Sequence, residues 1–260
     1  MELLLSFLPT FMLVFCRITS FFVVAPIFSS RVLPLQYKVG FSFFIALLVF
    51  LAMDQQNAVG FDDAYVLLVL REVLVGLVIG FVAYLFFSVV QVAGSFMDIQ
   101  MGFGIANVID PLTGTQSPML GNMKFMIASL LFVTMNGHHY MIRGMMDSYK
   151  LVPLQNELFS HIASGELSMF ILASVSKMFA LAFQMAAPIV VTMFLVDVAL
   201  GILAKTAPQF NLFVVGVPLK IILGLFMLVL LMSGFAYLFR SLFETLFVSM
   251  DELLKLIESK

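Results

Sequence analysis

Long apolar stretches separated by short polar ones account for most of this chain. Three apolar runs of 18 or more residues carry no charged side chain, and they cover residues 73–97, 178–196 and 221–239. Such a run is typical of a membrane-crossing helix, since about 20 apolar residues span the hydrocarbon core. The other apolar runs are shorter or carry a charge near the middle. The pattern therefore predicts an all-α, membrane-associated fold, although not a simple bundle of six uncharged membrane-spanning helices.

The first 53 residues predict an N-terminal helical hairpin. Residues 3–30 carry Arg17 as their only charge, and residues 39–53 carry none. An arginine at the centre of a membrane helix costs about 2.5–3.5 kcal/mol, whereas each Leu, Ile, Phe or Val returns only about 0.3–0.6 kcal/mol. The first helix can insert at that cost, but Arg17 needs a partner.

An acidic loop at residues 54–63 separates this hairpin from the central helices, which are placed at residues 64–150. The first central helix carries Arg71 and Glu72 near its start. As neighbours in sequence they point to different sides of a helix, so we expect each to find a partner elsewhere. Glycines at 76 and 80 form a GxxxG pair, which permits close helix approach within the chain or in a dimer.

Residues 167–260 predict a C-terminal helical hairpin followed by an amphipathic tail, within one domain of 260 residues. Pro188 is expected to divide residues 167–203 into two half-helices, because proline removes a backbone hydrogen bond. Lys177 and Asp197 interrupt this segment, and ionisable groups in such positions are by default paired or functional. Apolar residues of the tail keep helical spacing among charged ones, which predicts a helix that lies on a surface.

The composition places the chain in a membrane or in a membrane-bound assembly. Hydrophobic residues make up 62% and charged residues 11%, against about 45–50% and about 25% in soluble proteins. The mean hydropathy is +1.12. The net charge of −2 shows no excess of basic residues, so nothing in the charge favours binding to nucleic acid. The single cysteine, Cys16, is interpreted as a packing residue, and the N-terminus, which lacks a basic segment, as retained.

Motifs for catalysis and cofactor binding are missing from the sequence. There is no GxSxG, HExxH, GxxxxGK[ST], CxxC or dinucleotide-type GxGxxG pattern, and no serine has a histidine or lysine base at a recognisable spacing. His138 and His139 are adjacent, so their side chains leave a helix about 100° apart, which does not suit zinc. No enzyme activity, cofactor or metal is therefore predicted.

A polar island at residues 94–118, GSFMDIQMGFGIANVIDPLTGTQSP, stands between the apolar segments. Gln91, Ser95, Asp98 and Gly102 follow one another at steps of four, three and four, which puts a polar and small stripe on one helix face. Such a face could line a wettable channel, or it could pack against small residues of a neighbouring helix. The sequence leaves both interpretations open.

Five motifs occur in a specific order along the chain. They are Arg17 followed by APIF, Arg71-Glu72 with glycines downstream, GxxMDxQMGFGxANxxDP at 94–111, AAP at 186–188, and KxxPQxN at 205–211. Their order and spacing resemble the FliR family, the export-gate subunit of bacterial flagellar type III secretion, known as the SctT type in injectisomes. The resemblance covers essentially the whole chain and is closer to the flagellar branch.

This resemblance implies a non-catalytic subunit of the flagellar export gate, in the bacterial cytoplasmic (inner) membrane at the flagellar basal body. Its bent helical hairpins are expected to wind into a superhelical ring with FliP-type and FliQ-type subunits, with an FlhB-type subunit alongside. Unfolded flagellar proteins would pass through the central channel as substrates. A loop at about residues 104–117 would plug the closed channel.

The resemblance also implies roles for individual residues. Those assigned to the channel or plug are Asp98, Met101, Gly102, Phe103, Gly104, Ile105, Asn107, Val108, Ile109, Asp110 and Pro111. Those assigned to assembly are Arg17, Arg71, Glu72, Lys205, Pro208, Gln209 and Asn211. For residues 205–211, an ordinary polar hairpin turn is the alternative interpretation.

Two other functions stay open at the level of sequence. A self-contained small-molecule membrane transporter or channel would place paired charges around a midplane site, often in repeated halves, and no convincing internal repeat is found. An intramembrane enzyme would need the nucleophile or metal motifs that are missing. The export-gate subunit is therefore the preferred hypothesis.

Overall fold

The computed structural model describes residues 2–30, 33–53, 60–61, 65–104, 118–154, 164–209 and 211–258. This part of the chain forms α-helices and no strand, so the predicted all-α class is confirmed. The helices are α1 (Glu2–Val24), α2 (Leu35–Ala52), α3 (Tyr65–Met101), α4 (Met119–Thr134), α5 (Gly137–Leu151), α6 (Glu166–Thr206), α7 (Leu212–Leu230) and α8 (Met232–Ile257). The superhelical ring stays a prediction, because it concerns several subunits.

Four helices, α1, α2, α3 and α6, are long and apolar enough to cross a membrane. The number rises to six if α4 with α5, and α7 with α8, each count as one span, since each pair is joined across a short break. The 37 residues of α3 and the 41 residues of α6 extend over about 55 and about 60 Å, against a hydrocarbon core of about 30 Å. Both helices are therefore longer than one crossing requires.

The chain divides into two compact units. Unit 1 contains Met1–Leu85, Asn136–Ser174 and Thr245–Lys260, and unit 2 contains Phe86–Met135 and Val175–Glu244. Because the division falls inside α3, α6 and α8, each of these helices contributes residues to both units.

Within unit 1, α1 and α2 pack against each other through phenylalanine rings. The Phe11 and Phe43 rings meet edge to face with centroids 5.4 Å apart, and Phe15 and Phe43 do so at 6.1 Å. Phe22 and Phe41 lie 5.1 Å apart. Such pairs contribute about 0.5–1.5 kcal/mol each beyond the burial of their surface. Aromatic contacts thus hold this hairpin together along its length.

Two glycines of α3 let its backbone approach that of α1. A Cβ atom at Gly76 would overlap the Arg17 carbonyl and the Ser20 hydroxyl, and a Cβ at Gly80 would lie 3.0 Å from the Phe21 carbonyl oxygen. Of the two interpretations of this GxxxG pair, the structure therefore supports close packing within the chain.

Unit 2 repeats this arrangement between α3 and α4. A Cβ atom at Gly94 would overlap the backbone of Gly121. The Phe87 ring of α3 lies 5.1 Å from the Phe132 ring of α4 and 5.6 Å from the Phe243 ring of α8. Glycines set the spacing of the helices, and phenylalanines fill the space where the helices diverge.

One predicted feature of the C-terminal helices was wrong. The segment around Pro188 is not two half-helices, since α6 continues through this proline as one helix of 41 residues. Proline removes one backbone hydrogen bond, which a membrane helix tolerates when neighbouring groups satisfy the freed backbone atoms. Within the uncharged run 221–239 the chain breaks at Leu231, and α7 and α8 differ in direction by 63°, in agreement with the bent helices that were expected. Ser233 and Gly234 follow the break, and such pairs commonly accompany kinks.

The outer faces of α6 and α7 expose many large apolar side chains. On α6 they include Phe179, Phe183, Val191, Phe194, Leu195, Val198 and Ile202, and on α7 they include Val215, Ile222, Leu225, Phe226 and Val229. Contiguous apolar surface of this kind marks contact with lipid or with another protein. Among the described residues, these side chains remain largely uncovered.

The close approach at Gly76 predicts a steric effect of a single methyl group. Gly76→Ala should destabilise the protein by about 1–3 kcal/mol, because the overlap with backbone atoms of α1 outweighs the gain of about 0.5–1 kcal/mol in helix propensity. Thermal unfolding in detergent measures this effect. Gly201→Ala is the matched control, since its Cβ would meet nothing within 4 Å. Equal unfolding temperatures for the two variants would contradict the proposed packing.

Candidate functional site

A cluster of buried charges lies in unit 1. Arg17 of α1 and Glu72 of α3 are both 0% exposed. The guanidinium donates two hydrogen bonds to the carboxylate, from Nε to Oε2 at 2.6 Å and from Nη2 to Oε1 at 3.0 Å. This bidentate geometry is among the strongest that charged side chains form. Glu72 is thus the partner that Arg17 requires.

The other donors of Arg17 hold the end of α5. Its Nη1 donates to the carbonyl and to the hydroxyl of Ser148, both at 3.2 Å, and its Nη2 donates to the Val152 carbonyl at 2.9 Å. The guanidinium carbon lies 4.2 Å from the centre of the Tyr149 ring, which is a cation–π contact. The Tyr149 hydroxyl in turn donates to the Val14 carbonyl at 3.1 Å. One arginine therefore joins α1, α3 and α5.

Arg71 belongs to the same cluster. As predicted, Arg71 and Glu72 each have a partner elsewhere, but they also contact each other. The Arg71 Nη2 lies 3.3 Å from the Glu72 Oε1. The long arginine side chain can curve back along the helix, although the two Cβ atoms leave it about 100° apart. Arg71 also donates to the carbonyls of Pro153 and Leu154.

The cluster holds two positive groups and one carboxylate. The surplus positive charge faces the C-terminal end of α5, where a helix carries roughly half a negative charge on its last carbonyls. Arg17 and Arg71 together donate to the carbonyls of Ser148, Val152, Pro153 and Leu154. Glu72 and this helix end thus neutralise both cations, which an ion in an apolar interior requires.

In unit 2, Asp98 of α3 caps the first turn of α4. Asp98 is 3% exposed, and its two carboxylate oxygens accept the Leu120 backbone N–H at 3.2 and 3.1 Å. The residue that precedes α4 is Pro118, which supplies no side-chain cap. Asp98 therefore provides both the missing acceptor and a negative charge at the positive end of the helix.

The end of α3 carries the other described candidates for the channel or plug. Met101 is fully buried and packs on Gly224 of α7. Gly102 ends the helix with a φ of +92°, a left-handed conformation that suits glycine. Phe103 and Gly104 are half-buried. The remaining candidates, Ile105, Asn107, Val108, Ile109, Asp110 and Pro111, lie outside the described residues.

The assembly candidates fall into a buried and an exposed group. Arg17, Arg71 and Glu72 are buried within this chain. The exposed group lies at the turn between α6 and α7 and consists of Lys205, Pro208, Gln209 and Asn211. Only the exposed group can touch another subunit directly.

A third polar contact joins three helices of unit 2. Asp197 of α6 lies 2.8 Å from the Lys220 Nζ of α7 and accepts a hydrogen bond from the Gln100 Nε2 of α3 at 3.2 Å. Asp197, one of the charges that interrupt the apolar segments, is thus paired within the chain.

Sequence reasoning missed Lys124, Ser148 and Tyr149. Lys124 is 2% exposed and is the only charge of α4, and its isolation in an apolar helix is the signal that could have found it. Ser148 and Tyr149 lie in the polar helix α5, where nothing distinguishes them from surface residues. Their role depends on the fold that brings α5 to α1.

The described residues contain no group of three or more His, Cys, Asp or Glu side chains that could hold a metal ion. The adjacent His138 and His139 rings lie 4.1 Å apart.

Comparison with known proteins places the chain among bacterial export proteins. A family model described as "Bacterial export proteins, family 1" matches residues 8–246. The chain is 42% identical over 257 residues to "Flagellar biosynthetic protein FliR" of Bacillus subtilis (strain 168), which covers 99% of both chains. It is 28% identical over 243 residues to the protein of the same name in Escherichia coli (strain K12), covering 94% of this chain and 92% of that one. The chain therefore belongs to the FliR family of bacterial export proteins, and the resemblance seen in the sequence is confirmed.

The buried pair predicts a large effect of removing one partner. Arg17→Leu should destabilise the protein by about 3–5 kcal/mol, because it leaves Glu72 buried with less compensation. The double variant Arg17→Leu/Glu72→Leu should lose less unfolding free energy than the two single variants lose in total. Denaturant unfolding in detergent measures both.

The matched control is the exposed pair of Arg240 and Glu244, four residues apart on α8 at 3.3 Å. Arg240→Leu should change stability by less than about 1 kcal/mol, as is usual for surface ion pairs. Similar losses for Arg17→Leu and Arg240→Leu would contradict the central role of the buried cluster.

Proposed function

We propose that this protein is a subunit of the bacterial flagellar type III export gate and helps to form and close the channel through which unfolded flagellar proteins are exported. One observation carries this proposal, namely the similarity over 99% of both chains to the Bacillus subtilis protein named for flagellar biosynthesis. The match covers nearly the whole length of this relative, so the comparison does not favour a self-contained small-molecule transporter.

The membrane location follows from the same similarity and from the helices. At least four helices have the length and composition to cross a membrane, and α6 and α7 expose apolar faces that need a cover. We assign the chain to the bacterial cytoplasmic (inner) membrane, at the flagellar basal body. Its role there is structural, without catalysis of its own.

The proposed partners are FliP-type and FliQ-type subunits in one ring, with an FlhB-type subunit alongside. The exposed turn with Lys205, Pro208, Gln209 and Asn211 is available for direct contact with them. The buried Arg17, Arg71 and Glu72 would support assembly in another way, by fixing the relative positions of α1, α3 and α5. Neighbouring subunits can pack against this one in a ring only if the relative positions of its helices are fixed.

The channel would be closed by the loop at about residues 104–117. Two features support a fixed base for such a loop: Asp98 ties the last turns of α3 to α4, and Met101 packs on α7. Gly102 then changes the direction of the backbone. We propose that Asp98 and Met101 position the plug, while Gly102, Phe103 and Gly104 lead into it and Ile105–Pro111 form its core.

An affinity purification tests the export-gate assignment. A tagged copy, produced at native level and extracted in mild detergent, should recover FliP-type and FliQ-type subunits in constant proportions. Mass spectrometry of the eluate identifies them, and an unrelated tagged protein of the same membrane serves as control. Recovery of a monodisperse protein without other subunits would contradict the proposed function.

Deletion of residues 105–114 tests the plug. The variant should still assemble, because the anchors at Asp98 and Met101 remain, but the membrane should become permeable to small ions. Ion flux into cells or vesicles measures the leak. Replacement of the acidic loop 54–63 by a Gly-Ser segment of equal length is the matched control and should leave the membrane tight. An assembled deletion variant without a leak would contradict the gating role.

A further inference from the structure

An apolar cavity in unit 2 contains one charged side chain. The cavity has a volume of about 200 Å³ and lies between α4, the end of α7 and the start of α8. Its lining includes Met123, Ile127, Leu228 and Phe239, together with Lys124. Leu228 and Met232 of its lining lie on either side of the break at Leu231 in the sequence. A polar or charged group that enters it would therefore meet Lys124 and little else that is polar.

The ammonium of Lys124 has no direct acidic partner in the described part of the chain. Lys124 is 2% exposed, and its ammonium contacts two neutral groups, the Met97 sulfur and the face of the Phe235 ring at 3.8 Å. Asp98 is near enough to act on this charge electrostatically, but its carboxylate caps α4 at Leu120 and forms no ion pair with the lysine. Every other described charge that is at most 3% exposed has a carboxylate, a guanidinium or backbone groups in direct contact with it. Lys124 is the exception.

An ammonium without a direct acidic partner is costly in an apolar interior, and a water molecule is not well suited to supply the missing contact here. Burial of an unpaired ion costs several kcal/mol even after relaxation. A buried water needs two to four polar partners, whereas this cavity is lined by one polar residue. The counter-charge is best supplied by an acidic group from outside the chain.

The size of the cavity decides which kind of acidic group fits. Sites for small molecules usually measure about 300–1,000 Å³, so about 200 Å³ suits one or two side chains rather than a phospholipid with its acyl chains. An aspartate or glutamate on an otherwise apolar helix would place its carboxylate beside the ammonium of Lys124 and its methylene groups among the methionines and leucines of the cavity. That helix would also cover part of the exposed apolar surface nearby.

We propose that the cavity around Lys124 receives an Asp or Glu side chain from a membrane helix of another export-gate subunit. The ion pair would form only on assembly, and it would select the partner and its register, because any helix without an acid at this height leaves the lysine without a direct counter-charge. This inference rests on the proposed function, since it needs a complex.

Cross-linking of the intact complex tests the contact directly. The complex, purified through a tag on this chain, is treated with dicyclohexylcarbodiimide, an apolar reagent that activates a carboxyl group. The Lys124 amine attacks the activated carboxyl, an amide bond forms and a dialkylurea leaves. Mass spectrometry should find Lys124 joined to an Asp or Glu of a partner subunit. An amide between Lys124 and Asp98 of the same chain would overturn the proposal.

Variants supply the second measurement. Lys124→Met should lower the recovery of that one partner by about 30-fold or more, the loss expected from removing one member of a buried charge pair. Lys124→Arg, which keeps the charge, should retain most of it. The control is Lys150→Met, since Lys150 is 79% exposed and already lies 2.8 Å from Asp147 of its own helix.

The possible outcomes separate this inference from the proposed function. If the unmodified protein recovers no export-gate subunit, both are wrong. If it recovers them and Lys124→Met recovers them equally, only the inference is wrong. The inference is also wrong if Lys124→Met keeps every subunit but loses a bound anionic phospholipid, because Lys124 would then bind lipid.

Discussion

The rest of unit 1 depends on the need to neutralise Arg17 in an apolar interior. A buried guanidinium is stable only when a carboxylate and further acceptors surround it. Arg17 finds these acceptors on α3 and α5, at Glu72, Ser148 and Val152. This condition fixes three helices that are far apart in sequence, and the glycines at 76 and 80 make it possible because they let α3 approach the arginine closely.

The same principle explains why so few apolar segments are free of charge. In unit 2, Asp98 satisfies a helix end and Asp197 pairs with Lys220. Each charge that interrupts an apolar run in this way becomes a connection between helices. Such a chain does not need long uncharged membrane-spanning helices, because its polar residues face one another rather than lipid. The short and interrupted runs are therefore a consequence of internal pairing.

The sequence predicts the class of fold and the need of Arg17 for a partner, because both follow from local composition. It does not predict which partner is used, since Glu72 lies 55 residues away. The continuation of α6 through Pro188 was predicted wrongly and the break at Leu231 was not predicted, both for a related reason. The effect of a proline or of a Ser-Gly pair depends on the groups that surround it in the fold. The motifs of the FliR family contain Arg17, Arg71, Glu72 and Asp98, but they do not say which groups these residues contact.

Charge and apolar surface have different roles in this protein. Most buried charges are balanced within the chain, whereas the apolar faces of α6 and α7 are left open. Apolar contact is strong but not directional, so by itself it would hold a neighbour without fixing its position along the helix. A charge beside such a surface adds the missing register, since an ion pair is satisfied at only one position. In the proposed contact Lys124 has this role, because its cavity is lined by Leu228 of α7 and Met232 of α8 and its ammonium directly contacts only neutral groups among the described residues.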